Sequence, residues 1–432
     1  MLLIFRKSNA LILTTFSYMA IFATPLQAIS LKESLLHAYE HNPTILAARA
    51  ELKQADETVS EARSNFLPNL SASRSFSRAN TRTLETGNAA RTGDRTDTLS
   101  LSQSLFSYSN YKELKKANLT VTAQRLRLQA SEQQVLLQVI SSYMDVVRGG
   151  RVAKLRESNV KVLKQHLKTT QVQFELRRRT NSDLAQARSR LARGKADLAA
   201  AHASERKARS NFLQVVGFKP VNLEQPKFFS ILPDNIKAAE ELALKQKPTV
   251  RAASFEVDAA RIEIEVKMGK FAPNLTLSGS IANANSMNRN DENSNTLTSS
   301  ASVTFTVPLY QRGTEYSGLR SARIALSKSI YTLDQARRTA GDGARQAWED
   351  MVSAEVRVDS YSAQVKAAEI ALKGIKAELE VGRRTLLNLL DAEQEFLDAR
   401  VNYTSANRDY LVAQYRILER TGQLRLQDIE IE

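Results

Sequence analysis

The 432-residue chain has no cysteine, only 9 prolines and 15 glycines, and an aromatic fraction of 6%. The absence of cysteine excludes disulfides, thiolate metal sites, cysteine nucleophiles and the cysteine-linked anchor of bacterial lipoproteins. Proline and glycine interrupt helices, and the apolar fraction is a modest 42%. The composition therefore favours long helices with solvated faces over several compact domains.

Long apolar runs are also missing. After the first 28 residues, no window reaches the roughly 18 consecutive apolar residues that indicate a membrane helix. Residues 1–28 have the pattern of a secretory signal peptide, with Arg6 and Lys7 before an apolar stretch and a cleavage site after Ala28. The sequence therefore predicts a protein that leaves the cytoplasm without a transmembrane helix.

Positive charge exceeds negative charge, because 61 Lys and Arg residues oppose 46 Asp and Glu residues for a formal net charge of +15. A basic balance can indicate nucleic-acid binding. However, few aromatic residues accompany the basic clusters, and no helix-turn-helix or zinc pattern is present. We expect no nucleic-acid partner, and contact with acidic lipid head groups or solvation of helix faces accounts better for the charge.

Catalytic and metal-binding patterns are absent as well. Among the four histidines, only His37 and His41 have a metal-ligand spacing, and no third ligand stands near them. The Gly341-Asp342-Gly343 stretch lies in a helical pattern and does not follow a strand, which argues against a phosphate-binding loop. We predict no catalytic residue, no metal, no cofactor and no enzymatic activity.

The chain carries an internal duplication with one constant offset of 205 residues. Residues that match at this offset include Pro43 and Pro248, Pro68 and Pro273, Asp145 and Asp350, Thr180 and Thr385, and Gly217 and Gly422. The predicted organisation is a signal peptide at 1–28, a first repeat at 29–217, a linker or equatorial segment at 218–247, a second repeat at 248–422 and a C-terminal segment at 423–432.

Each repeat contains a β-hairpin pattern, at about 67–107 and 273–308. In the second hairpin, Leu275, Leu277 and Ile281 alternate with serine and threonine. An apolar face opposite a hydroxyl-rich face is what a membrane β-barrel strand requires. Four strands cannot close a barrel, and lipid does not tolerate an open sheet edge. Several copies must therefore pool their strands.

After each β-hairpin, helical periodicity runs over nearly 70 residues, at 109–176 and 316–381. At about 1.5 Å per residue, each helix would reach roughly 100 Å. Heptad spacing on both sides of Gly382 predicts a helical hairpin with a tip near 382–391, and the duplication predicts another near 177–184. The predicted fold is mostly α-helical, with helices of several copies forming a hollow α-barrel continuous with the β-barrel. An exported coiled-coil rod or tether is the alternative, but it leaves the strands unexplained.

Several short motifs carry a resemblance to a known family. They are residues 36–43 followed by Ala47-Ala48, the stretch Asn65-Phe66-Leu67-Pro68-Asn69-Leu70, the stretch Pro308-Leu309-Tyr310, and residues 381–392 at the second tip. In this order, and within a duplicated chain, they resemble the TolC-type outer-membrane efflux proteins over nearly the whole mature sequence.

The resemblance implies a homotrimer with a 12-stranded β-barrel of four strands per chain, a periplasmic α-barrel and an equatorial belt that draws on 218–247 and 424–431. It implies an exit duct in the outer membrane of a Gram-negative bacterium, surrounded by outer-membrane lipid. A periplasmic adaptor protein and an inner-membrane pump would deliver drugs or proteins, and the duct would conduct them passively.

The resemblance also assigns residues at the tips. The pore constriction falls on Asn388 and Asp391; because only Asp391 is acidic, we expect one carboxylate ring and weak cation binding. The gate bonds fall on Asp183, with Ser182 beside it, and on Arg384, whose charge-assisted bond would hold the resting tube closed. The residues expected to contact the adaptor are Arg178, Arg179, Thr180, Gly382, Arg383 and Thr385.

The tips depart from the family pattern in two places. Leu379 stands where relatives often carry tyrosine, so a third gate contact lacks its usual hydroxyl. The first tip reads Arg177-Arg178-Arg179 where a glycine-containing turn is usual. This basic cluster would either alter the pairing with the adaptor or simply be solvated.

Overall fold

The computed structural model describes residues 29–82, 89–224, 226, 232–288 and 293–426. The predicted signal peptide lies outside the described residues, and so do the last six residues of the predicted C-terminal segment. The described part of the chain consists of two copies of one unit, each with two short helices, two strands and a long helical hairpin.

Both units have the same order of elements. The first contains α1 (Leu31–His41), α2 (Pro43–Ser64), β1 (Asn69–Arg82), β2 (Ala89–Ser107), α3 (Tyr108–Glu175) and α4 (Asn181–Val216). The second contains α5 (Ile236–Gln246), α6 (Pro248–Met268), β3 (Asn274–Asn288), β4 (Asn293–Thr306), α7 (Thr314–Glu380) and α8 (Leu386–Thr421). The elements α1, α2, β1 and α4 begin 205 residues before α5, α6, β3 and α8. The expectation of a duplicated, mostly helical chain with four strands is confirmed.

Helix α5 lies inside the segment predicted as a linker or equatorial segment, 218–247, and belongs to the second unit. Its start is fixed by Asn235, whose side-chain oxygen accepts a hydrogen bond from the backbone N–H of Ala238 at 2.9 Å. Such a cap satisfies one of the free N–H groups of a first helical turn. Ala239 and Ala243 are fully buried, so the helix is packed into the fold. The second unit therefore begins earlier than the predicted boundary at 248.

The long helices α3 and α7 run through the whole helical part, and four shorter helices flank them. In the half next to the sheet, α2 packs on α3, and α6 packs on both α3 and α7. In the other half, α4 packs on α3, and α8 packs on both α3 and α7. Each half is therefore a row of four helices. With 68 residues, α3 is about 100 Å long. None of the helices in the described ranges combines the length and the hydropathy needed to cross a membrane.

The largest hydrophobic core lies where α1 and α4 meet α3 and α8, at the equator of the helical part. Its largest fully buried side chains are Tyr143, Tyr415 and Phe212. The Tyr143 hydroxyl lies 3.0 Å from the carbonyl oxygen of Ile29 and 2.9 Å from that of Glu224. Burial raises the pKa of Tyr143 to about 12, so the hydroxyl keeps its proton and holds both chain segments against the long helix.

The four strands form one antiparallel sheet in the order β1-β2-β3-β4. One row across the sheet consists of Ser71, Ser100, Ser280 and Ser300, and the adjacent row consists of Leu70, Leu101, Gly279 and Ala301. Since successive side chains of a strand point to opposite faces, one face carries hydroxyls and the other carries apolar groups. No described helix packs across either face. The predicted separation of the two faces is confirmed.

The apolar rows occupy the half of the sheet next to the helices. Farther from the helices, the same face carries Arg74 and Asp97, which form an ion pair between β1 and β2. At 14 and 19 residues, β1 and β2 are longer than the roughly 9 to 11 residues needed to cross a bilayer. The sheet therefore has room for an apolar zone and for a charged zone beyond it.

Candidate functional site at the helical tips

The two tips are built on the same helix-ending turn. The backbone N–H groups of Arg177 and Arg178 donate to carbonyl oxygens of α3 at 2.9 and 2.8 Å. The residues 205 positions later, Gly382 and Arg383, donate to carbonyl oxygens of α7 at 3.0 and 2.8 Å. This pair of bonds is the Schellman motif, which places one residue in the left-handed backbone region.

The residue in the left-handed region differs between the tips. Arg177 has a φ of 57° in the first tip, and Gly382 has a φ of 75° in the second. This conformation costs a residue with a Cβ atom about 1–2 kcal/mol, whereas glycine adopts it without that steric cost. The first tip therefore turns like the second although it lacks the usual glycine, and Arg177 bears the strain.

Each returning helix begins with a capping box based on threonine. In the first tip, the Asp183 N–H donates to Thr180 Oγ1 at 3.2 Å, and an Asp183 carboxylate oxygen accepts from the Thr180 N–H at 3.0 Å. In the second tip, Thr385 and Asn388 make the same reciprocal bonds at 3.3 and 3.1 Å. These four residues, all predicted to be functional, thus fix the first turns of α4 and α8.

The cap of α4 contains a titratable group, and the cap of α8 does not. Hydrogen bonds from the backbone N–H and the hydroxyl of Thr180, with attraction from Arg179, lower the pKa of Asp183 below its ordinary value of 3.8. Because the folded-state pKa is lowered, the cap stabilises α4 above the ordinary pKa and is lost as the pH falls through the folded-state pKa. We expect the first-turn amides of α4 to lose hydrogen-exchange protection, corrected for intrinsic rates, below about pH 4.

The amides of α8 provide the internal control for this pH dependence. Asn388 carries no proton that titrates in this range, so protection in the first turn of α8 should stay constant. The variant Asp183→Asn should give α4 the same flat profile. An equal loss of protection in both helices of the wild type would contradict the assignment to the Asp183 carboxylate.

Within one protomer, the structure does not bring the predicted gate residues Asp183 and Arg384 together. Asp183 is engaged by Thr180, and Arg384 Nε donates to a carboxylate oxygen of Glu378 on its own tip at 2.6 Å. Ser182 is exposed beside them. The gate bond therefore requires contacts between protomers or an exchange of partners, and it stays a prediction.

The predicted constriction residue Asp391 has a counter-ion that the sequence did not indicate. Arg190, on α4, donates a guanidinium hydrogen bond to the Asp391 carboxylate on α8. The pair joins the first helical hairpin to the second. Asn388, the other predicted constriction residue, turns its side-chain oxygen back to Thr385. Each carboxylate of the expected ring therefore has a cation beside it.

A buried carboxylate ties three helices together near the tips. Glu393, on α8, is 8% exposed; both its oxygens lie 3.0 Å from Nε2 of His166 on α3, and Nζ of Lys376 on α7 lies 3.8 Å away. The surrounding apolar cluster contains Leu163, Leu191, Leu372, Leu386 and Leu389. A buried charge is tolerated when it is paired in this way. The two hairpins thus form one tip unit.

The histidine pair on α1 belongs to the equatorial packing. The rings of His37 and His41 stack with centroids 4.4 Å apart. His37 Nδ1 lies 2.8 Å from the carbonyl oxygen of Val216, and His41 Nδ1 lies 3.1 Å from that of His37. Across the described ranges, no group of three or more His, Asp or Glu side chains is placed to hold a metal ion.

The chain is similar in sequence and in fold to proteins of one known family. Residues 35–217 and 240–423 match the family described as "Outer membrane efflux protein". The chain is 27% identical to the outer membrane efflux protein BepC of Brucella suis, over 93% of this chain and 87% of that protein. It is 26% identical to the alkaline protease secretion protein AprF of Pseudomonas aeruginosa, over 94% and 86%. The solved CmeC outer membrane channel of Campylobacter jejuni superposes with a TM-score of 0.79 at 18% identity, over 91% of this chain and 85% of that one.

Proposed function

The chain belongs to the outer membrane efflux protein family, and from this premise we propose that three copies form one exit duct that conducts drugs or secreted proteins passively. A periplasmic adaptor protein and an inner-membrane pump deliver the cargo and supply the energy. The observation that carries the proposal is the four-stranded sheet, whose apolar and hydroxyl faces are both left uncovered by the described helices.

The sheet cannot stay open in lipid. Within the described part of the chain, strands β1 and β4 each pair on one side only, which leaves rows of backbone N–H and C=O groups that hydrocarbon cannot satisfy. Pairing β4 of one copy with β1 of the next satisfies both rows. Three copies give twelve strands, above the roughly eight of the smallest bacterial barrels. The apolar face then meets lipid, and the hydroxyl face lines an aqueous lumen.

The helices continue this closure away from the membrane. Helix α7 exposes large apolar side chains along its length: Ile324, Tyr331, Val356 and Ile370 are 71%, 74%, 59% and 72% exposed. Repeated exposed apolar groups on one helix indicate a missing neighbour. Because β4 leads directly into α7, the copy that pairs with β4 also covers α7. Three rows of four helices then enclose a hollow α-barrel.

We place the gate and the adaptor contacts at the tips. Asp183, Ser182 and Arg384 would close the resting duct, and Asn388 and Asp391 would line its narrowest ring. The adaptor would meet Arg178, Arg179, Thr180, Gly382, Arg383 and Thr385. What supports this placement is that the tips lie at the end of α3 and α7 remote from the sheet and that most of these residues are exposed in the protomer.

Purified protein in detergent tests the proposal. We expect a trimer that resists heating in electrophoresis buffer and that gives stepwise ion conductance in planar lipid bilayers. Water-soluble filaments without conductance would contradict the channel. They would support an exported coiled-coil rod or tether, the function that heptads alone also fit.

The gate residues make a separate prediction. Arg384→Ala, and independently Asp183→Ala, should raise single-channel conductance because each removes one partner of the proposed closed-state bond. Glu378→Gln should lower it, because it releases Arg384 from the partner on its own tip. Arg383→Ala removes a neighbouring charge and should leave conductance near the wild-type level. Unchanged conductance in both alanine variants of the bond would remove the gate assignment.

A further inference from the structure

The two tips share a backbone turn but differ in charge. Residues 160–197 of the first helical hairpin hold ten Lys or Arg and three Asp or Glu. The equivalent residues 365–402 of the second hold six and seven. Each protomer therefore presents one basic tip and one tip that is close to neutral.

In the second tip, two of the basic side chains pair with acids of the same hairpin. Arg384 pairs with Glu378 at 2.6 Å, and Lys373 pairs with Glu369 at 2.8 Å. Together with the near balance of acidic and basic residues, such pairs leave little net charge for a partner protein to recognise. Contacts at this tip should depend only weakly on salt.

In the first tip, most basic side chains point into solvent. Arg177, Arg178, Arg188, Arg193 and Lys195 are all exposed. The ion pairs and hydrogen bonds formed by the described residues include none from these five side chains. This set, called the basic tip below, is a concentration of unpaired positive charge at the far end of the protomer.

Strain within the basic tip adds an independent observation. Arg177 occupies a left-handed position that glycine fills in the second tip, at Gly382. Among the described residues, no hydrogen bond or ion pair of the Arg177 side chain offsets this strain. Strained residues concentrate where function requires the side chain, so the guanidinium of Arg177 is expected to act on something outside the protomer.

We propose that the basic tip docks an acidic surface of the periplasmic adaptor, so that the adaptor distinguishes the two tips of each protomer by charge. This inference rests on the proposed function. The occupant is a protein and not outer-membrane lipid, because α3, about 100 Å long, separates the tip from the sheet. Charge complementarity of this kind speeds association and makes binding sensitive to salt.

The experiment uses the natural absence of cysteine. A photo-crosslinker on Ser182→Cys, at the exposed tip, captures the adaptor in cells and identifies it. The purified adaptor is then titrated onto wild-type trimers and onto Arg177→Gly/Arg178→Gln trimers in nanodiscs. At low salt we expect about tenfold weaker binding by the variant, and a smaller loss of affinity than the wild type on going to high salt.

Two features keep this test specific. Arg177→Gly installs the residue that the second tip uses, so thermal stability should be unchanged or higher and weaker binding cannot reflect unfolding. The matched pair Arg178→Gln and Arg383→Gln removes one charge from equivalent positions 205 residues apart. We expect Arg178→Gln to weaken binding severalfold more than Arg383→Gln, because only Arg178 belongs to a cluster of unpaired positive charge.

Several results would overturn the inference. One is failure of Ser182→Cys to capture an adaptor. Another is an equal loss of adaptor affinity in Arg178→Gln and Arg383→Gln. The third is a wild-type affinity for the adaptor that does not change with salt concentration. The inference would also be overturned if the Arg177→Gly/Arg178→Gln variant lost binding to phosphatidylglycerol vesicles but still bound the adaptor. That result would identify a membrane as the occupant. Conductance in planar bilayers distinguishes failure of this inference from failure of the proposed function. If the protein conducts but fails these tests, only the inference is wrong. If it does not conduct, the proposed function is wrong as well.

Discussion

Replacing Leu101 with arginine should prevent assembly of the trimer in the outer membrane, whereas the same change at Ser100 should be tolerated. Leu101 lies on the central strand β2 in the apolar row, and Ser100 lies in the adjacent all-serine row on the other face. An arginine facing lipid at the bilayer midplane costs about 2–4 kcal/mol, so three copies cost about 6–12 kcal/mol per trimer. Heat-resistant trimer in outer-membrane fractions is the measurement.

The pair of variants is matched in charge, size and position along the strand. Leu101→Ala controls for the loss of the leucine side chain and should reduce assembly only slightly. Ser100→Arg should assemble and make the pore more selective for anions, because three guanidinium groups would then line the lumen. Assembly by Leu101→Arg together with failure of Ser100→Arg would mean that the faces are assigned the wrong way round.

Arg190→Gln should make the channel more sensitive to block by divalent cations. Arg190 pairs with Asp391 across the two hairpins, so its removal exposes three uncompensated carboxylates at the proposed constriction. An exposed pair of charges at about 4 Å interacts by about 1 kcal/mol in water. We therefore expect the concentration of divalent cation for half-block to fall by roughly fivefold to tenfold per site, measured on single channels.

Controls for this prediction come from the same helix and the same pair. Arg188→Gln removes an exposed charge two residues away on α4 and should leave block unchanged. Asp391→Ala should reduce sensitivity to divalent cations, and adding Arg190→Gln to it should not give the stronger block expected for Arg190→Gln alone, because the carboxylate is already gone. Equal block in the wild type and in Asp391→Ala would refute the carboxylate ring.

The features that could be predicted from sequence are those that produce a short periodic pattern of apolar and polar residues along the chain. Alternation of Leu275 and Leu277 with hydroxyl residues gave the two faces of the sheet, because strand geometry fixes a period of two. Heptads around Gly382 gave the helical hairpin and its turn. The offset of 205 could have located α5 as well, since α1 lies at the matching position, but the three prolines between 218 and 235 suggested a linker instead.

The contacts between hairpins could not be predicted. Whether Arg190 reaches Asp391 depends on how α4 and α8 are rotated about their own axes, and each belongs to a different hairpin. His166 and Glu393 are 227 residues apart, and no local pattern links them. For Asp183, a local partner competes with the predicted gate partner. Its spacing from Thr180 fits a capping box, and in the protomer Thr180 binds the carboxylate that the family resemblance assigns to the gate.

The central claim is that β4 of one protomer pairs with β1 of the next in a closed ring of three. Because the chain has no cysteine, it can be tested by combining Ser73→Cys on β1 with Ser300→Cys, Ser302→Cys or Thr304→Cys on β4, all on the hydroxyl face. Neighbouring strands bring such pairs within disulfide range at the correct register. We expect one combination to give a reducible ladder of monomer, dimer and trimer that stops at the trimer. Monomer alone at every register, or a ladder that continues past three, would contradict the ring.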